Sequence, residues 1–193
     1  GEAYEVPMVG EFNVRNAAMA VCSARFAGLE PEEIRKGLLS FEGIARRQQE
    51  RGEVGGITVV DDFAHHPTAI GLAIDGLRQK YPSRRLWVIF EPRSNTTRRN
   101  IFQDDLAIAL KKADCVVIPS IPDPEKVAEN ERLDPEKLVA DISSAGANSW
   151  YLGEVEEIVE HVSSLAQSGD VIAILSNGGF GGIHEKLLAS LDD

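Results

Sequence analysis

Residues 59 to 70, "VVDDFAHHPTAI", set two carboxylates beside two imidazoles at the point where a β-type run gives way to a helical pattern. A carboxylate at the end of a strand is suited to accept hydrogen bonds from ribose hydroxyls, and that is the first reading of Asp62. The competing one is an acid facing the positive end of the following helix. Metal is the obvious use for His65 and His66. Adjacent side chains on extended backbone point to opposite faces, however, so the pair cannot readily chelate one ion. Orienting the loop or touching a substrate suits them better. Two further stretches carry polar chemistry: "EPRSNTTRR" (91–99) and "SNGGFGG" (176–182). The glycine-rich one offers backbone N–H groups before a helix, fit for a carboxylate or another anion. Tight strand-to-helix packing would use the same glycines. A Walker loop is excluded, because no lysine follows a glycine pair at the required spacing.

These residues need a frame to bring them together. From Val59 onward, β-type and helical patterns alternate. "GITVVDD", "RLWVIFE", "DCVVIP" and "DVIAILS" are short apolar runs rich in β-branched residues. Between them lie helical periodicities, such as Ile70, Ala73, Ile74, Leu77 and Tyr81 on one face behind Pro67. Asp134-Pro135 is an N-cap followed by proline at the first helical position. Strands alternating with helices predict an α/β fold with a doubly wound, mostly parallel sheet. In such a sheet, ligands bind beyond the carboxyl ends of the strands, where all three polar stretches fall.

The first 44 residues break the repeat. "EAYEVPMVG" reads as the tail of a strand, "NVRNAAMAVCSARFAGL" as an alanine-rich helix ended by Gly28, and "PEEIRKGLLSF" as a second short helix. One strand and a helical hairpin cannot enclose a core. Residues 1–44 are therefore expected to be the edge of a neighbouring domain, and the chain a fragment of a longer protein. A complete small protein with a helical flap is the alternative.

Composition limits the partners. The 193 residues are 43% hydrophobic, enough for a sizeable core, and carry a formal charge of −11 that repels a phosphate backbone. Nucleic acid is not an expected partner. No apolar run reaches membrane-spanning length, so no membrane association is expected. Cys22 and Cys115 fall in apolar patterns and read as buried, reduced thiols of a cytoplasmic protein.

Two other classes fail on specific residues. A phosphorylation receiver domain needs an aspartate ending its third strand, where this chain has Ile118-Pro119-Ser120, and a lysine ending a later one, where it has "AILSNGG". A dinucleotide-binding domain needs G-x-G-x-x-G after its first strand, and none is there.

In order along the chain, "GEFNVRNAAMA", "GIARRQQERG", "DDFAHHPTAI", "FEPRSNTTRR" and "SNGGFGGIHEKLL" resemble the C-terminal part of the Mur ligase family. The resemblance covers essentially the whole sequence. It implies an ATP-dependent ligase: ATP phosphorylates the lactyl carboxylate of UDP-N-acetylmuramate, and an amine attacks the acyl phosphate, with ADP and phosphate leaving. It also implies residues 1–44 as the edge of the central ATP-binding domain and 45–193 as a Rossmann-like domain for the incoming amine. The partners implied are UDP-N-acetylmuramate, the amine substrate and the remaining domains of the same polypeptide. The "SNGGFGGIH" and "EPRSNT" stretches favour the branch of the family that attaches the recycled murein tripeptide L-Ala-γ-D-Glu-meso-diaminopimelate over the one that adds L-alanine.

Residue by residue, the family's adenine-contacting asparagines match Asn13 and Asn16, which share a helix face at i, i+3. The arginine that reaches the ATP phosphates matches Arg47, and the ribose-contacting aspartate matches Asp62. The loop meeting the amine substrate's carboxylate matches Arg93, Asn95, Thr96 and Arg98. His65 and the backbone around Asn177, Gly178 and Gly179 complete the expected substrate contacts. Catalytic groups, the Walker loop and the Mg2+ ligands are expected outside this chain, and no metal site within it. Two positions depart from the family pattern: Phe12 stands where a histidine is usual, and Gln49 where a glutamate is. A non-catalytic nucleotide- or peptide-binding module remains the other class.

Overall fold

The computed structural model describes residues 2–192. A six-stranded sheet runs in the order β1 (Gln49–Val54), β2 (Ile57–Asp62), β6 (Val171–Leu175), β3 (Leu86–Phe90), β4 (Cys115–Pro119), β5 (Asn148–Leu152). All neighbours are parallel except β1, which pairs antiparallel with β2. The expected doubly wound α/β sheet is therefore the observed one. Strands β2, β3, β4 and β6 are buried at every residue. That explains their largely apolar runs, Thr58, Asp61 and Asp62 of β2 being the polar exceptions: a strand covered on both faces has no side to give to water.

Helices α3 (Pro67–Lys80), α4 (Gln103–Leu110) and α5 (Pro135–Ser144) cover one face of the sheet. Ile70, Ile74, Leu77, Leu106, Leu110, Leu138 and Ile142 are packed there against Val60, Val88 and Val116. Helices α6 (Val155–Leu165) and α7 (Ile183–Asp192) cover the other, with Ile158, Val162, Ile183 and Leu187 on Val59, Trp87 and Ile174. Start signals act as their chemistry requires. Asp134 caps α5 by accepting from the Lys137 N–H at 2.9 Å. His66 caps α3, its Nδ1 accepting from the Thr68 N–H at 3.3 Å, with Pro67 following.

The chain leaves β2 and β3 by helices on one face, and β6, lying between them, by α7 on the other. That change of face opens a crevice at their carboxyl ends. The strands end level there, since Leu175 is the partner of both Asp62 and Phe90. Three polar stretches distant in sequence thus become neighbours.

Three sequence expectations need correction. Residues 2–10 form no strand; among the described residues they find no ladder to join, and extended backbone without a partner is not a strand. Cys22 is exposed, while Cys115 is buried as expected. Its helix, α1 (Glu11–Phe26), buries only Ala17. Strand β1 was not anticipated at all. Its sequence, "QERGEV", is polar because it lies at an edge and pairs on one side only. It turns into β2 through Gly55 and Gly56, with φ of 58° and 79°, the left-handed pair that a two-residue hairpin demands.

Candidate functional site

The linker between α2 (Pro31–Leu39) and β1 approaches the crevice first. Arg46 and Gln48 hold φ of 59° and 49°, values rare for residues with a Cβ. This backbone is fastened on both sides. The Arg46 carbonyl accepts from the Phe63 N–H at 2.8 Å, and the Arg46 N–H donates to Gln49 Oε1 at 2.9 Å. Gln49, where the family has glutamate, thus satisfies a backbone donor within its own turn.

Asp62 completes the fastening. It is 3% exposed, and its two oxygens accept from the N–H groups of Gln48 (2.9 Å) and Ala64 (2.7 Å). Burial raises its pKa, against the opposing pull of those two donors and of the Arg47 charge. The carboxylate therefore ties β2 to the linker. Each oxygen keeps one lone pair for a further donor.

Asn13, Asn16 and Arg47 come together. They line a cavity of about 1120 Å³ between the helical hairpin and the linker that follows it, with Phe12, Ala17, Ile34 and Gln48 in its walls. Asn13 Nδ2 donates to the Val9 carbonyl at 2.7 Å, which leaves Oδ1 to accept from a ligand amine. The Phe12 ring lies over Gly10, whose φ is 98° and whose position would put a Cβ 2.8 Å from that ring. A purine suits such a chamber, being a flat apolar body with edge polar groups. Arg47 is exposed there and has no carboxylate within ion-pair distance among the described residues. Its guanidinium carbon lies 5.5 Å from the Phe63 ring centroid. Asp62 does not line this cavity. No cluster of three or more metal-ligating side chains occurs among the described residues.

The other half of the crevice lies across β6 and β3. Arg93 is half exposed and rests on Gly178, where a Cβ would fall 2.6 Å from Arg93 Cδ. Below it, buried Glu91 accepts from Ser176 Oγ at 2.5 Å, and Ser176 Oγ accepts from the Gly178 N–H at 2.9 Å. That N–H is therefore not free for an anion, contrary to the simplest view of the glycine-rich loop. Asn177 keeps a buried Oδ1 with no partner, and Gly179 is exposed. Asn95 and Thr96 are exposed on the turn that Ser94 braces by accepting from the Thr97 N–H at 3.1 Å. Arg98 turns away toward Asp123, at 3.3 Å.

The two histidines diverge as their adjacency predicts. His65 Nδ1 lies 3.0 Å from the Phe63 carbonyl, and the His66 ring meets Phe102 edge-on at 4.7 Å. Two groups in the crevice escaped sequence reasoning. His184 is 6% exposed, with Nε2 3.4 Å from Asp61 Oδ1, and burial holds its pKa below the usual imidazole value. Arg46, at 30% side-chain exposure, spans from Asp61 to the glycine-rich loop. Only its place beside Arg47, in a linker between two units, could have marked it.

Comparison with known proteins fits this geometry. The family model described as Mur ligase, glutamate ligase domain, matches residues 46–178. The UDP-N-acetylmuramate–L-alanyl-γ-D-glutamyl-meso-2,6-diaminoheptandioate ligase of Escherichia coli K12 is 42% identical over 189 residues, covering 95% of this chain and 38% of that protein. The UDP-N-acetylmuramate–L-alanine ligase of Bifidobacterium longum subsp. infantis is 37% identical, covering 98% of this chain and 38% of its own. The crystal structure of a murein peptide ligase from Psychrobacter arcticus 273-4 superposes with a TM-score of 0.74 at 37% identity, over 98% of this chain and 39% of that one. The chain spans under two-fifths of the length of each of these relatives.

Proposed function

The chain belongs to the Mur ligase family, and from that premise we propose that it is the C-terminal part of an ADP-forming ligase that joins UDP-N-acetylmuramate to L-Ala-γ-D-Glu-meso-diaminopimelate. Residues 1–44 are the edge of the ATP-binding domain and 45–193 the domain for the incoming peptide. One observation carries the nucleotide half: Asn13 and Asn16 share a cavity with Arg47 although the rest of α1, a loop and α2 separate the asparagines from the arginine in sequence. Adenine lies against Phe12 and between the amides, and Arg47 points at the phosphates. Asp62 reaches ribose with its spare lone pairs. Magnesium, held by residues outside this chain, would neutralise phosphoryl charge. The residues described here do something different: they position the nucleotide and the amine.

The peptide half rests on Arg93. A tripeptide extends away from its reacting amine and carries several carboxylates, so it needs donors at more than one distance. Arg93, Asn95 and Thr96 offer one set, the loop at Asn177–Gly179 another, and His65 borders the approach. Identity is also higher to the E. coli tripeptide ligase than to the Bifidobacterium L-alanine ligase, 42% against 37%. Addition of L-alanine is the second reading, favoured by that same 37% over nearly the whole chain. The reaction belongs in the cytoplasm, where ATP and UDP-sugars are found, and serves cell-wall synthesis from recycled peptide.

Phosphate release by the full-length enzyme, with UDP-N-acetylmuramate and ATP, separates the possibilities. The tripeptide is expected to give a kcat/KM roughly a hundredfold above that of L-alanine. The reverse ranking would assign the chain to the L-alanine ligases. No amine-dependent phosphate release would leave a binding module.

A further inference from the structure

Arg46 makes more contacts across the crevice than any role in a plain linker requires. Nη2 donates to two carbonyls of the glycine-rich loop, Ser176 at 2.6 Å and Gly178 at 2.8 Å. Nε lies 3.4 Å from Oδ1 of Asp61, a carboxylate only 2% exposed. The guanidinium carbon lies 5.2 Å from the Phe63 ring centroid. The backbone of the same residue is pinned to Phe63 and Gln49 and held in the left-handed region. A residue fixed at both ends transmits position. If the linker moves, the side chain must release or drag residues 176–178.

That segment is the floor under Arg93. The arginine lies so close on Gly178 that no Cβ fits between them, and the Gly178 N–H is held down by Ser176 Oγ, itself bonded to Glu91. Carbonyls of a glycine-rich turn are free to rotate, and here two of them are turned toward one cation. Without it, nothing else described fixes the Gly178 carbonyl, apart from a 3.4 Å approach of Ser176 Oγ.

We propose that Arg46 is a positioning residue for the amine substrate. It couples the linker between the two units to the glycine-rich loop, and so sets the height and direction of Arg93. It touches neither nucleotide nor amine. Arg47, the next residue, faces the nucleotide cavity instead, so adjacent arginines serve opposite halves of the crevice.

This inference rests on the assignment of Arg93 to the amine but not on which amine is used. The test is therefore run with whichever amine the wild-type full-length enzyme accepts. A failure of the tripeptide assignment and a failure of this inference then give different results. In Arg46→Gln, the KM for the amine should rise about tenfold or more, while the KM for ATP and for the UDP-sugar stay within about twofold. Arg46→Lys, which keeps the charge and one carbonyl contact, should recover most of the loss. Thermal unfolding of both variants is measured alongside. If Arg46→Gln does not fold, Arg46→Met, which also removes the donors to both carbonyls, is judged by the same selective rise in amine KM. An amine KM within about threefold of wild type, or equal rises for amine and ATP, would overturn the proposal in favour of a simple structural tie.

Discussion

Residue chemistry and residue position separate most clearly at the two strand-end acids. Asp62 was legible as an acid with a purpose, yet its buried oxygens already hold the Gln48 and Ala64 N–H groups, and nothing in "VVDD" tells how a backbone some fourteen residues upstream will fold back. Arg47 and Arg93 were legible only through resemblance. What the structure adds is that they stand apart, one lining the cavity under the helical hairpin and one over Gly178. Their substitutions should therefore fail differently. Arg47 has no acidic partner competing for it among the described residues. If it meets phosphate in the transition state, Arg47→Ala in the full-length enzyme loses about 2–4 kcal/mol, or roughly a hundredfold in kcat. A surface cation of no special use would cost at most about 1 kcal/mol. Arg93→Ala should spare kcat and ATP but raise the amine KM roughly ten- to a hundredfold, the worth of one charge-assisted contact. Steady-state kinetics on both variants decides the matter. An Arg93→Ala enzyme impaired for ATP and normal for the amine would mean the crevice has been divided the wrong way.

Elements were legible in proportion to their burial. Strands β2, β3, β4 and β6 announce themselves because burial on both faces strongly favours apolar residues, with Thr58, Asp61 and Asp62 of β2 as the exceptions. Edge strand β1 hides because its exposed side takes Glu and Arg; only the Gly55-Gly56 pair betrays the hairpin. At the opposite end of the sheet from the crevice, one carboxylate aligns the starts of two central strands. Asp170, just before β6, accepts from Arg85 Nη2 (2.6 Å), Trp87 Nε1 (3.0 Å) and the Gln167 N–H (2.9 Å), joining β3, α6 and β6. Burial alone would raise its pKa, but Arg85 and the two N–H donors outweigh it and hold the value below normal. A depressed carboxylate contributes stability that is fully present above its unfolded pKa, about 3.9, and lost as pH falls through the folded value. Asp170→Asn should therefore cost about 2–3 kcal/mol at pH 7, less than a fully buried pair because Arg85 is a third exposed. The gap in Tm between variant and wild type should begin to narrow as pH drops below about 4 and go on narrowing toward the lower folded-state pKa. A gap that did not narrow at all between pH 7 and pH 3 would mean that hydrogen-bond shape, not charge, carries the interaction.

At the scale of the whole molecule, the sheet and its helices form a closed core, and the first 44 residues do not. Within them Phe26 is 97% exposed, Met19 68% and Ile44 64%, while only Ala17 and Ile34 among their large or small apolar side chains are buried. The sequence hinted at this by breaking its strand–helix alternation, although it could not say which helix faces would lie bare. Such a surface can shape one wall of a nucleotide cavity without completing it. On the proposed reading, adenine would gain the contacts of Asn13, Asn16 and Phe12, and one phosphate would gain Arg47. The sequence has no lysine-bearing phosphate loop to hold the β- and γ-phosphates, and among the described residues no cluster of three or more metal-ligating side chains occurs. The field of the chain also opposes a polyanion, with a formal charge of −11. Half a site with an unfavourable field should bind ATP in the millimolar range or weaker, about −4 kcal/mol. The 193-residue chain by itself should show no turnover, since positioning without phosphoryl charge neutralisation leaves the transition state unsupported. Calorimetric titration with ATP, together with phosphate release in the presence of magnesium, tests both statements. Micromolar binding would show that the hairpin and linker make a self-sufficient site, and magnesium-dependent hydrolysis would place catalytic groups within this chain.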